Sequence, residues 1–236
     1  NGSAIKNGNG FIYFFKIDSR TVNEAATTIS SVHRINPDGT MAEILSNLEF
    51  LKNAGERPID ADGDYFITNS AVYRSNGTKI STGTNAPDRG LSGIAVNGTN
   101  VYAANAGDVF HYNGSTWTQF KHSASGSVYG LTYLGIAAKQ LLLIPCSEGY
   151  GEVVLNASGE PEKAQGPGQS EVSSISTTSR SQYTSSMSDW NMLSIFVVTN
   201  PIPAGNDYCL YAGILDPKDD GLWGYYSSNR EEWNRE

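Results

Sequence analysis

Residues 100–120, NVYAANAGDVFHYNGSTWTQF, set a pattern that the rest of the chain varies. Val101 to Ala104 make one apolar run. Val109 to Tyr112 make a second, after the polar Asn105-Ala106-Gly107-Asp108, and Thr116 to Phe120 a third, after Asn113-Gly114. Asn-Gly between two apolar runs predicts a type I′ hairpin, because both central residues of that turn need φ > 0 and these two adopt it most cheaply. The repeating unit is therefore a set of short strands joined by tight turns.

Five strong apolar runs recur, at residues 11–15, 65–68, 101–104, 141–144 and 209–212. Each is followed by a second run and a polar turn, and leading runs at 91–96, 131–136 and 193–198 precede three of them. In the first unit only residues 4–6 can supply the leading strand. Four positions beyond the turn residues Asn76, Asn113 and Asn229 stand Ile80, Trp117 and Trp233, the fixed offset expected of a repeated inward-facing position. The middle units match the ~40 to 50 residues of one propeller blade, and the longer ones need inserts at 18–31 and 166–189.

The expectation is an all-β, five-bladed β-propeller-like domain of three- to four-stranded antiparallel blades over residues 1–236. The blades fall at about 1–46, 47–83, 84–121, 122–165 and 187–236, with 166–186 a long surface loop. Residues 41–53 carry the one competing helical periodicity, and are read as an outer strand running into a turn. A two-sheet sandwich is the rival architecture, but it leaves the common offset of Ile80, Trp117 and Trp233 without a reason.

Composition narrows the function. Sixteen basic against 24 acidic residues give a net charge of -8, and no basic cluster exceeds a pair, which disfavours nucleic acid and anionic membranes as partners. No run approaches the ~18 apolar residues of a membrane-spanning helix, so no transmembrane segment is expected. The opening Asn1-Gly2-Ser3 reads as a processed product whose leader has been removed. Cys146 and Cys209 lie near opposite ends of their strands, which favours buried thiols over a disulfide.

The most site-like cluster is Asp60-Ala61-Asp62-Gly63-Asp64. Alternating carboxylates around a glycine can aim several oxygens at a hard cation, which makes Asp60, Asp62 and Asp64 candidate Ca²⁺ ligands. The residues that follow supply no bidentate acid, so the plainer reading is an Asp-Gly turn entering the next strand. Asp216 to Gly221 is a similar acidic turn. His33, His111 and His122 occupy different strand phases and are not expected to converge. No zinc-hydrolase or nucleophile-elbow motif is present. Five Asn-x-Ser/Thr sequons, at Asn1, Asn76, Asn97, Asn113 and Asn156, mostly coincide with turns the fold already requires. Tyr73, Tyr112, Tyr129, Tyr150, Tyr225 and Tyr226 lie at strand ends, where tyrosines either form a recognition surface or fill the space between blades.

The final stretch, Gly221-Leu222-Trp223-Gly224-Tyr225-Tyr226 followed by Glu232-Trp233-Asn234-Arg235-Glu236, resembles the C-terminal ending of propeller-type surface lipoproteins of spirochaetes, notably treponemal ones. The likeness covers about sixteen residues. It implies a lipid-anchored cell-envelope protein whose anchoring cysteine lies upstream of Asn1, and an adhesin-like partner such as the extracellular-matrix protein fibronectin. Arg89-Gly90-Leu91 stands where integrin mimicry would need Arg-Gly-Asp. Together these features predict a non-enzymatic exported module that binds a protein ligand and needs no cofactor. A lectin-like propeller and an enzyme with a carboxylate site in the central channel are the alternatives.

Overall fold

The apolar runs become strands, and their two-residue period decides which layer each side chain enters. A computed structural model of the chain describes residues 4–6, 10–22, 25–46, 58–122, 127–136, 139–147, 149–161, 172–173, 191–198, 208–215, 221–227 and 234–235. Among the described residues there are nineteen β-strands and no helix.

The strands form five antiparallel sheets, each a meander in chain order. The first contains β1 (Ala4–Lys6), β2 (Ile12–Val22), β3 (Ala25–Ile35) and β4 (Met41–Ser46), and the second β5 (Pro58–Asp62), β6 (Tyr65–Thr68) and β7 (Val72–Arg74). The third holds β8 (Gly93–Asn97), β9 (Asn100–Ala104), β10 (Asp108–Tyr112) and β11 (Trp117–Lys121). The fourth holds β12 (Thr132–Ile136), β13 (Lys139–Cys146), β14 (Gly149–Leu155) and β15 (Val172–Ser173). The fifth holds β16 (Asn191–Val198), β17 (Tyr208–Leu215), β18 (Gly221–Ser227) and β19 (Asn234–Arg235). The leading strands of consecutive sheets lie side by side, β1 against β5, β5 against β8, β8 against β12 and β12 against β16.

Alternation along each strand feeds the layers between sheets. In β6, Phe66 joins Tyr13, Val32 and Tyr73 between the first and second sheets. Its neighbours Tyr65 and Ile67 point the other way, to Ile94, Val101 and Phe110 between the second and third. In β9, Val101 and Ala103 enter that layer, while Tyr102 and Ala104 meet Leu142, Ile144 and Val153 between the third and fourth. The second and third sheets are thus packed on both faces, which two stacked sheets cannot produce. Each fully buried Ile or Leu here contributes about 2 kcal/mol of transfer free energy. Cys146 is a buried thiol in the last of these layers.

Several expectations change in detail. Residues 18–22 and 25–31 are not a loop insert. They extend β2 and β3 into an eleven-residue ladder in which Asp18 opposes Ile29 and Arg20 opposes Thr27, because Thr and Ile favour the pleated surface even where the run looks polar. Residues 41–46 are strand, as expected, and residues 4–6 do supply the first leading strand. Of the long segment 166–186, Val172–Ser173 is the fourth strand of the fourth sheet, and the remainder lies outside the described residues.

The turns are not type I′. Asn113 does not adopt φ > 0. Its Oδ1 instead accepts the N–H groups of Ser115 and Thr116, at 3.1 and 3.0 Å, and only Gly114 takes the left-handed conformation, at φ 98°. In three other sheets the turn has one shared form. Asn36, Arg74 and Asn156 each donate their N–H to the residue four on, and Gly39, Gly77 and Gly159 donate back to them from φ of 83°, 86° and 80°. A glycine in the left-handed region at that position closes the hairpin with a bulge.

The offset that singled out Ile80 and Trp117 holds as burial but not as symmetry. Both lie in the layer between the second and third sheets, Ile80 contributed by one and Trp117 by the other. Trp117 Nε1 donates to Ile80 O at 2.8 Å. Trp233 lies outside the described residues.

Candidate functional site

Meander topology sends the connections out at two ends. At one end emerge the β6–β7 turn at Asn69 and Ser70, residues 81–92 between the second and third sheets, the β9–β10 turn, His122, residues 127–131 and the β13–β14 turn. These segments are tied to one another. Leu91 N–H donates to Asn69 O, Ser147 N–H to Ser127 O, and Tyr129 N–H to Pro145 O at 2.9 Å. His122 Nε2 lies 2.9 Å from Asn105 O. On this framework residues 82–85 and 88–90 are exposed, and the side chains of Asp88 and Arg89 remain 84% and 90% accessible. Their contact at 3.9 Å is a solvated pair that leaves both available to a partner. Asn85, at φ 61°, is the one non-glycine among the described residues with positive φ, a conformation asparagine tolerates well. Tyr129 is exposed at the same end, at 39%.

The predicted site residues separate. Tyr73 is buried against Phe66, with ring centroids 5.1 Å apart, and Tyr112 packs on Trp117 at 5.1 Å. Both fill space between sheets, so of the described tyrosines in the candidate set only Tyr129 faces solvent. The side chains of Tyr150, Tyr225 and Tyr226 lie outside the described residues.

Asp60 and Asp62 sit on β5, two residues apart and so on one side of the strand. Asp60 accepts the N–H groups of Ala61 at 2.9 Å and Ile94 at 3.1 Å. Asp62 accepts those of Gly63 at 2.8 Å and Val96 at 2.7 Å. All four oxygens therefore hold backbone, and Ile94 and Val96 belong to β8 of the next sheet. A cation would have to displace these bonds, and Asp64 stands apart, exposed at the turn. The arrangement is an inter-sheet clamp. Sequence reasoning saw the carboxylates but not their use, since nothing local to 60–64 announces a partner strand thirty residues away.

Burial, opposed by the two N–H donors, pushes the Asp60 carboxyl up to about 6 from an ordinary 3.8. Burial also raises Asp62. Because the folded value exceeds the unfolded one, Asp60 adds stability that is complete below pH ~4 and lost as pH rises through ~6. We expect the stability gap between wild type and Asp60→Asn to shift toward wild type by about 3 kcal/mol from pH 7.5 to pH 4, read from urea unfolding at each pH. A gap independent of pH would refute the assignment.

The histidines occupy separate settings. His33 Nε2 lies 2.8 Å from Ser31 Oγ, with its ring stacked on Phe14. His111 stacks on Tyr102 and places Nε2 2.7 Å from Asn100 Oδ1. Burial lowers the pKa of His111, against the pull of Glu160, and burial lowers that of His122, against its bond to Asn105. Neutral imidazoles serving as hydrogen-bonding and packing groups fit the settings of His111 and His122, while His33 Nε2 also lies 3.5 Å from Glu43 Oε2.

These features define a class: an all-β chain of consecutive antiparallel meander sheets packed face to face, with an exposed loop end. No protein family model matches the sequence, and no curated protein resembles it significantly. Solved structures do share the fold. The chain is similar to the extracellular domain of a candidate one-component system from B. thetaiotaomicron, with a TM-score of 0.51 at 13% identity over 99% of this chain and 27% of that one. It is also similar to a candidate 6-phosphogluconolactonase from Bacteroides uniformis, at 0.50 and 13% over 98% of this chain and 69% of that one. An auxiliary nutrient binding protein from Bacteroides thetaiotaomicron scores 0.48 at 12%, over 94% of this chain and 53% of that one. The chain thus spans about a quarter of the first of these proteins. At such identities the likeness is one of fold.

Proposed function

We propose that the chain is a propeller-like array of five blades that acts as a non-enzymatic, exported binding module, engaging a protein ligand through its loop end. One observation carries this reading. Side chains that could do chemistry are taken up by the fold, Asp60 and Asp62 in holding two sheets together and His111 in a bond and stack within the third sheet, while Asp88, Arg89 and Tyr129 stand exposed at one end of the second to fourth sheets. Arginine and tyrosine are the residue types that dominate binding hot spots. The blade order is supported by leading strands that lie side by side while strand faces are buried on both sides. Export is supported by the extracellular setting of a protein with the same fold. The lipid anchor and a matrix partner such as fibronectin rest on the resemblance of residues 221–236 to spirochaete surface lipoproteins.

Immobilised protein is expected to capture purified fibronectin or another matrix protein, and the double variant Arg89→Ala, Tyr129→Ala to bind at least about tenfold more weakly with an unchanged melting temperature. Absence of binding across a matrix panel would remove the partner class. Turnover of an ester, glycoside or phosphate substrate well above a heat-killed control would remove the non-enzymatic reading.

A further inference from the structure

Three Asn-Gly pairs lie within the described residues, Asn76-Gly77, Asn97-Gly98 and Asn113-Gly114, each followed by Thr or Ser. Glycine has no Cβ to shield its backbone nitrogen, so that nitrogen can attack the side-chain amide carbon of the asparagine before it. Local sequence hardly separates the three, and any difference in reactivity must come from the fold. Attack needs a free glycine nitrogen, an amide group able to leave, and donors at the amide oxygen where negative charge develops.

In two of the pairs one of these groups is already engaged. Gly77 N–H donates to Arg74 O at 2.8 Å, and a Cβ on Gly77 would collide with Ile44 O, so this nitrogen is bonded and its turn is pressed against the first sheet. Asn97 Nδ2 donates to Gln140 Oε1 of β13 at 3.3 Å, and the same side chain bonds that of Tyr133, so its amide is held by the fourth sheet. Asn113-Gly114 has neither restraint. Residues 113–116 are exposed and nothing lies within 4 Å of a Cβ on Gly114. Among the described residues no acceptor takes the Gly114 N–H. The donors are also most numerous there. Asn113 Oδ1 accepts from Ser115 N–H at 3.1 Å, the Ser115 hydroxyl at 2.9 Å and Thr116 N–H at 3.0 Å, whereas Asn76 Oδ1 accepts from Thr78 N–H at 3.0 Å.

We propose that Asn113 is a self-modification site, at which the Gly114 nitrogen converts the side-chain amide to a cyclic imide that water then opens to aspartate or isoaspartate. The Gly114 nitrogen gives its proton to hydroxide and bonds to Asn113 Cγ. The donors on Oδ1 stabilise the oxyanion so formed. The Cγ–Nδ2 bond then breaks, and ammonia leaves with a proton taken from water, which returns the hydroxide. Water adds to one imide carbonyl carbon, and its proton goes to the Gly114 nitrogen. Opening at Cγ leaves aspartate in an ordinary backbone, and opening at the main-chain carbonyl carries the backbone through Cβ and Cγ. One amide and one water thus become one carboxylate and one ammonium ion. Aspartate keeps an acceptor for Ser115 and Thr116, while isoaspartate lengthens the β10–β11 connection beside Tyr112 and Trp117. This turn lies at the end of the third sheet opposite the β9–β10 turn, so the modification is separate from the proposed binding surface.

Folded protein held in mildly alkaline buffer and sampled over weeks by peptide mapping tests this, with isoaspartyl methyltransferase labelling to tell the two products apart. Asn113 is expected to convert at least about tenfold faster than Asn76 or Asn97, and faster as pH rises, because hydroxide generates the nucleophile. In urea the three rates should converge to within about threefold, since unfolding removes what distinguishes them. Ser115→Ala takes one donor from Oδ1 at an exposed position, and is expected to slow conversion of Asn113 by about fivefold with unchanged thermal melting. Three pairs that convert alike in the folded chain, or a Ser115→Ala variant that converts as fast as wild type or faster, would overturn the proposal.

Discussion

Trp117→Ala is expected to lower the unfolding free energy by about 4 kcal/mol, the largest loss from any single truncation in the described layers. Trp117 is 4% exposed and fills the layer between the second and third sheets with Phe110, Tyr112, Ile80 and Leu91. Truncation removes that bulk from a layer bounded on both sides by strands, which cannot collapse into the space without breaking their ladders. It also leaves Ile80 O without its indole donor. Trp117→Phe separates the two contributions: it keeps most of the volume and loses the hydrogen bond, so a loss of about 1 kcal/mol is expected. Urea unfolding followed by tryptophan-independent circular dichroism reads both. Equal losses for the two variants would mean that the bond, not the packing, holds this layer.

Gly93→Ala is expected to destabilise by about 3 kcal/mol, at the upper end of what overpacking costs. A Cβ at Gly93 would stand 2.2 Å from Gly130 C and Leu131 N and 2.6 Å from Gly130 Cα. These are main-chain atoms, with no flexible side chain to swing away, so the start of β8 and the entry to β12 would have to part. That is where the leading strands of the third and fourth sheets meet. Gly107→Ala is the control, because nothing lies within 4 Å of its Cβ and its φ is not positive, and it should fall within about 0.5 kcal/mol of wild type. Matching melting temperatures for the two variants would show that the close approach at Gly93 does not matter.

Much of this architecture was legible from periodicity. Alternation in residues 101–104 correctly sends Val101 and Tyr102 to opposite layers, and the asparagines at 36, 76, 113 and 156 all mark turns. Three things were not legible, each for a physical reason. The turn type depends on whether the asparagine spends its side chain on the backbone, as Asn113 does, or adopts φ > 0, and the dipeptide is the same in both cases. The polar run from Asp18 hid a ladder, because strand formation there depends on a partner strand rather than on apolar residues. For the candidate site, the exposed Arg89 and Asp88 sat in a stretch noticed only for lacking an Arg-Gly-Asp tripeptide. Tyr73 and Tyr112 could not be told from surface tyrosines until the neighbouring sheet was in place.

The clamp made by Asp60 and Asp62 has a bearing on solubility. β8 is the edge strand of its sheet, and the amides of Ile94 and Val96 are turned away from β9 toward Asp60 and Asp62, so they would otherwise form an open row of donors along an apolar strand. Such a row invites addition of a foreign strand and the onset of fibrous aggregation. Two short carboxylates cover it while supplying no backbone of their own to extend the ladder. The chain thereby keeps an apolar strand at a sheet margin without leaving a template for self-polymerisation, and removing both carboxylates should be felt as precipitation before it is felt as unfolding.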